Sequence, residues 1–96
     1  MIRKQVEIRN RLGLHARAAA RFVHAASRFH SRIQVTRDGR SMDGKSILGI
    51  LLLAASQGTQ LEISAEGDDE EQAAAALAAL VEGGFGEGSQ AASPRA

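Results

Sequence analysis

The 96-residue chain has no cysteine, tryptophan or tyrosine, only three phenylalanines and a single proline. Without cysteine it can form neither a disulfide framework nor a thiolate zinc site, which suits a reducing cytoplasm. The near absence of aromatic rings removes the stacking platforms on which single-stranded nucleic acids are usually read. Long apolar runs are missing too. The run Ile50 to Ala55, like the alanine-rich run Ala73 to Val81, is far too short to span a bilayer. The opening MIRKQVEIRN is charged and alternating, so it does not read as a signal peptide. These absences predict a soluble, cytoplasmic protein with no membrane insertion.

What is present fits one domain with one modest core, since apolar residues make up 44% of a short chain. Net charge is only +1, but it is unevenly spread. Residues 1–45 carry 11 Lys and Arg against 3 Asp and Glu, whereas residues 46–96 carry 1 against 8. A basic half can steer an acidic partner into contact. With so few aromatics, the partner favoured is an acidic protein, not nucleic acid.

Val6 and Ile8 alternate with charged residues as in a half-buried strand. Asn10 to Leu14 breaks the pattern at Gly13. Ala16 to Ser27 then reads as a helix, with Ala19, Phe22, Val23 and Ala26 on its apolar side. Ile33 and Val35 mark a second strand. Asp38-Gly39 is a hairpin turn leading to a short third strand near residues 40–43. Ser46 can cap a short helix from Ile47 to about Leu53, and Gly58 stands where a helix would end. Leu61, Ile63 and Ala65 form a fourth strand. Asp68 and Glu71 suggest a capping box for a last helix whose stripe is Ala73, Ala76, Leu77, Leu80 and Val81. Gly83-Gly84 ends that helix. The order βαββαβα predicts a two-layer α/β (α+β) sandwich, one sheet face covered by helices and the other open to solvent. The domain is expected to fill residues 1–86, with residues 87–96 a flexible Gly, Ser and Ala-rich tail.

Three histidines are present, His15, His24 and His30, at spacings that make no helical metal pair and with no neighbouring carboxylate in sequence. No metal and no cofactor is expected. His15 stands apart because it directly precedes a helix. Its imidazole should lie beside the first amides of Ala16, Arg17 and Ala18, which lack partners inside the helix and attract anions, phosphate above all. Arg17 can grip the same anion through charge-assisted hydrogen bonds. A neutral imidazole is a competent nucleophile near neutral pH. Nucleophile, anion cradle and guanidinium together are what a phosphoryl acceptor needs. Read on spacing alone, His15 could equally be an ordinary helix-start residue and Arg17 a solvated charge. Arg17, Arg21, His24 and Arg28 span roughly 60° of a helical wheel. They form a basic stripe that is either a solvated face or a docking edge for an acidic protein.

Asn10-Arg11-Leu12-Gly13-Leu14-His15-Ala16-Arg17-Ala18 resembles the HPr family of phosphocarriers of the bacterial phosphoenolpyruvate-dependent phosphotransferase system. Gly44 to Leu51 resembles that family's regulatory serine region, and Ala55 to Ile63 its last loop and strand. The resemblance implies an open-faced sandwich with three helices on one face of a four-stranded antiparallel sheet of order 1-4-2-3. It implies a carrier, not an enzyme. His15 would take the group on Nδ1 from enzyme I and pass it to a IIA protein or domain, with Arg17 steadying it. Ser46 would be the target of an HPr kinase/phosphorylase where one is present. Ile47, Leu48 and Leu51 match an apolar partner-binding patch. A monomer suits such a shuttle. The usual His-Ala-Arg-Pro becomes His-Ala-Arg-Ala here. Alanine is a good helix former, so the helix should start in the same place. Asn10 to Gly13 and Gly84-Phe85 lean toward nitrogen-type relatives, and Lys45-Ser46 toward kinase-regulated ones. The competing reading is a regulatory interaction module switched at Ser46, with no phosphoryl shuttling.

Overall fold

The computed structural model describes residues 1–87. Its elements are β1 (Ile2–Glu7), α1 (Ala16–Ala26), β2 (Arg32–Arg37), β3 (Arg40–Asp43), α2 (Ile47–Leu52), β4 (Gln60–Glu66) and α3 (Glu70–Glu82), followed by a short 3-10 turn, Gly84–Gly86. The four strands form one sheet of order β1-β4-β2-β3, antiparallel throughout. Three helices cover one face, which is the open-faced sandwich expected. Apart from Glu87, the expected tail lies outside the described residues.

Alternation along the strands sets the inner face. Leu61, Ile63 and Ala65 of β4 and Ile33 and Val35 of β2 are buried, joined by Val6 and Ile8 from the first strand and its extension. Ala18, Ala19, Phe22 and Ala26 of α1 and Ala73, Ala74, Leu77 and Val81 of α3 close the core from above. Asp38 and Gly39 both take positive φ, so β2 and β3 join through the tight turn that the dipeptide favours, with Arg37 opposite Arg40.

Several local expectations shift. In α3 it is Ala74 that is buried, whereas Ala76 is exposed and Leu80 only partly covered. So many alanines blur the apolar stripe that would otherwise orient the helix. The cap of α3 is also displaced. Asp69, not Asp68, holds the N-cap position, and its side chain makes no cap bond there. It accepts instead from the amides of His30 and Ser31 and from the Ser31 hydroxyl. Glu70 reaches back to the Gly67 amide at 3.0 Å, so the reciprocal half of the box comes one residue early. Gly58 does not end α2. That helix finishes at Leu52, with Ala54 in positive φ soon after, and Gly58 serves a later turn whose amide bonds the Ile8 carbonyl at 2.8 Å.

Candidate functional site

The site begins in the loop from Asn10 to Leu14. The Gly13 amide bonds the Asn10 carbonyl, and the Asn10 side-chain amide returns to the Gly13 carbonyl at 2.8 Å. Gly13 adopts φ +68, and a Cβ there would meet the Ala55 carbonyl oxygen at 2.6 Å. The next amide, of Leu14, bonds that same Ala55 carbonyl at 2.9 Å. The loop is thus stitched to the loop that follows α2, and glycine is required by both the backbone angle and the space.

His15 is the N-cap of α1, with extended backbone (φ −78, ψ 177). Its Nδ1 accepts from the Arg17 amide at 3.2 Å. An atom that accepts an N–H carries its lone pair in that direction, so Nδ1 is the unprotonated nitrogen. Nε2 lies 2.9 Å from both carboxylate oxygens of Glu87, which can only accept, so Nε2 carries the proton. The ring is about a quarter exposed, its side chain being 27% accessible. The unprotonated nitrogen therefore sits at the amide end of a helix, on a ring that is partly open to solvent.

Nothing acidic stands in the first turn of α1. The end retains the partial positive charge of a helix start, with the Arg17 amide engaged by the His15 ring. Arg17 is exposed, and its guanidinium has no ion-pair partner among the described residues. Ala16 is exposed; Ala18 is fully buried and offers the site only its backbone. No group of three or more metal-binding side chains occurs among the described residues.

The other expected positions divide. Ser46 caps α2 by accepting from the Gly49 amide at 3.0 Å. Arg21, His24 and Arg28 are exposed and, with Arg17, Ala20 and Leu80, line a shallow groove of ≈ 560 Å³ beside α1. Arg21 is not wholly free, because it donates to the Phe85 carbonyl. On α2, Ile47 and Leu48 are exposed as expected, at 45% and 67%. Leu51 instead packs against the core, and Leu52 takes its place on the surface. A nearly all-apolar helix carries no periodicity from which to choose between them. Leu12, also exposed, adds an apolar position that sequence reasoning missed.

Glu87 is the main residue missed. Composition put it at the start of a tail, yet it touches the ring of His15. Burial pushes its carboxyl up. Hydrogen bonds from His15 and Asn10, with the charges of His15 and Arg21, outweigh that and hold it below the usual carboxylate value.

The fold and site define a class: small open-faced α/β proteins presenting one histidine as the cap at the start of a helix. Comparison with known proteins gives the family. Residues 2–83 match the family model PTS-HPr, described as PTS HPr component phosphorylation site. The chain is 47% identical over 88 residues to phosphocarrier protein HPr of Neisseria meningitidis serogroup A, covering 92% of this chain and 99% of that one. The crystal structure of HPr-C-His from Thermoanaerobacter tengcongensis superposes with a TM-score of 0.87 at 52% identity, over 91% of this chain and 98% of the other. Crh, described as the catabolite repression containing protein of Bacillus subtilis and crystallised as a swapped dimer, gives 0.71 at 43% identity, over 88% and 97%. The chain belongs to the HPr family, whose members are phosphocarriers of the phosphotransferase system and not enzymes. Among the described residues, no helix is long and apolar enough to cross a membrane.

Proposed function

We propose that this chain shuttles a phosphoryl group on His15, accepting it from phospho-enzyme I and delivering it to a IIA protein or domain. The observation that carries the reading is the orientation of His15, lone pair toward the helix mouth and N–H toward Glu87. Attack by Nδ1 on the donor's phosphohistidine forms a new N–P bond while the donor's N–P bond breaks, its electron pair returning to the donor nitrogen. The amides of the first turn and the Arg17 guanidinium then face the phosphoryl oxygens. This is catalysis by positioning and charge, as phosphoryl transfer requires.

The exposed Ile47, Leu48 and Leu52, with Leu12, supply apolar contact for partners, while Arg17 and Arg28 supply charge and His24 a hydrogen-bonding ring. Such a surface suits a small transient interface. A cytoplasmic monomer fits the role. Ser46 lies beside that apolar patch. A phosphate there would add about −1.5 to −2 charges where acidic partners must land, and so would repel them. An HPr kinase/phosphorylase would be the agent.

The likeness to Crh supports a second reading, a regulatory module that acts by binding, with Ser46 as its switch. One experiment separates the two. Incubation with enzyme I and labelled phosphoenolpyruvate should yield acid-labile, base-stable label on the wild type and none on His15→Ala. A wild type that stays unlabelled would leave only the module.

A further inference from the structure

We propose that Glu87 is a positioning residue for His15, holding the imidazole in the one tautomer that can accept a phosphoryl group and supporting the charge the ring gains on doing so. The inference rests on the phosphocarrier reading and adds to it a residue at the far side of the ring.

Glu87 does not meet His15 by a loose encounter. Phe85 is buried to 1% and anchors the end of the described chain in the core. Gly84, Phe85 and Gly86 all take positive φ (70, 56 and 76), a sharp reversal that directs the chain from α3 back toward the loop before α1. Arg21 donates to the Phe85 carbonyl, and the Glu87 amide bonds the Gly84 carbonyl at 2.9 Å. The Asn10 side chain then donates to Glu87 Oε1 at 2.9 Å and to the Gly13 carbonyl. Asn10 is 1% exposed, so this link is sheltered from water. The carboxylate is held by Asn10 and meets Nε2 with both oxygens.

The chemistry follows from which nitrogen faces what. A neutral imidazole keeps its proton on either nitrogen, and only the form with the proton on Nε2 has a lone pair on Nδ1. A carboxylate 2.9 Å from Nε2 selects that form. When Nδ1 bonds phosphorus, no proton needs to leave. Nδ1 is now substituted, Nε2 keeps its hydrogen, and the ring is cationic. Glu87 faces that developing charge, as a buried carboxylate does behind a histidine base. His15, Arg21 and Asn10 are the groups that face Glu87, and all three favour its charged form.

The test uses the full chain labelled with ¹⁵N. At alkaline pH, where the ring is neutral, the two imidazole nitrogen shifts of His15 report the tautomer ratio. A hydrogen bond to a charged acceptor, partly screened here, is expected to bias that ratio by about tenfold. Glu87→Ala should lose the bias and slow single-turnover transfer from phospho-enzyme I by about tenfold. Glu87→Gln keeps an acceptor without the charge, so it should retain the tautomer yet still transfer more slowly. That split is not expected of a residue that merely braces the fold. Wild-type nitrogen shifts and wild-type rate in both variants, alongside an unlabelled His15→Ala, would overturn the role of Glu87 and leave the carrier standing. A wild type that takes no label would fail the carrier reading, and the nitrogen shifts alone would then decide whether Glu87 holds the ring.

Discussion

The starts of α1 and α3 are built from the same backbone feature and used in opposite ways. At α3 the chain brings its own anions. Glu70 and Glu71 occupy the first turn, Glu70 takes the Gly67 amide, and Asp69 binds the amides of His30 and Ser31. At α1 the first turn contains no acid, the cap is an imidazole, and an arginine with no ion-pair partner among the described residues stands at the second position. One end carries its own carboxylates, whose charge suits a helix start although Asp69 makes no cap bond there. The other has no acid in its first turn. The α2 end lies between them, closed by a single hydroxyl that a kinase could convert into a phosphate.

The most severe way to break this contrast is to close the open end. Ala16→Asp puts a resident carboxylate at the first position of α1, where it competes for the amides and repels phosphate. Transfer from phospho-enzyme I should fall on the order of a hundredfold, about 2.7 kcal/mol of barrier. Stability should change by less than about 1 kcal/mol, because a carboxylate at that end is itself favourable. Stopped-flow transfer and thermal melting, measured together, check both halves.

The converse change removes the carboxylate at the N-cap position of α3. The Asp69 carboxyl is held at about 2, below its ordinary 3.8, chiefly by the Ser31 hydroxyl, then by the His30 and Ser31 amides. A carboxyl whose folded value is depressed contributes its stability above the unfolded value and loses it as pH falls through the folded one. Wild-type melting temperature should therefore drop between about pH 4 and pH 2. Asp69→Asn should be less stable at neutral pH and flatter across that window, with transfer per folded molecule unchanged. A variant as acid-sensitive as the wild type would show that the Asp69 link to His30 and Ser31 is not what fails first.

The smallest effect belongs to the intermediate end. Ser46→Ala removes one cap and should lower stability by about 1 kcal/mol, seen in urea melts, without altering acceptance of label by His15. Ser46→Asp should instead weaken docking to the acidic partner by severalfold, read as a rise in the half-saturating enzyme I concentration.

Much of this contrast was legible in the chain. His15 before an alanine run, Arg17 two residues on and Ser46 before Ile47 are local signals, and local signals survive folding. The strands followed from simple alternation in Leu61, Ile63 and Ala65. What sequence could not provide was long-range. Asp69 rather than Asp68 was chosen by Ser31, 38 residues away in sequence. Glu87 reaches His15 across 72 residues, by a turn that two glycines and a buried phenylalanine make possible but do not announce. Leu51 and Leu52 differ only in which side of a short helix they occupy.

The bare hydrogen at position 13 has a last consequence. Because the backbone there passes so close to residue 55, the segment presenting the imidazole and the segment leaving the serine-capped helix share one seam. A methyl group inserted into it would displace both. Saturation mutagenesis selected for carrier activity should accordingly return this position almost unchanged.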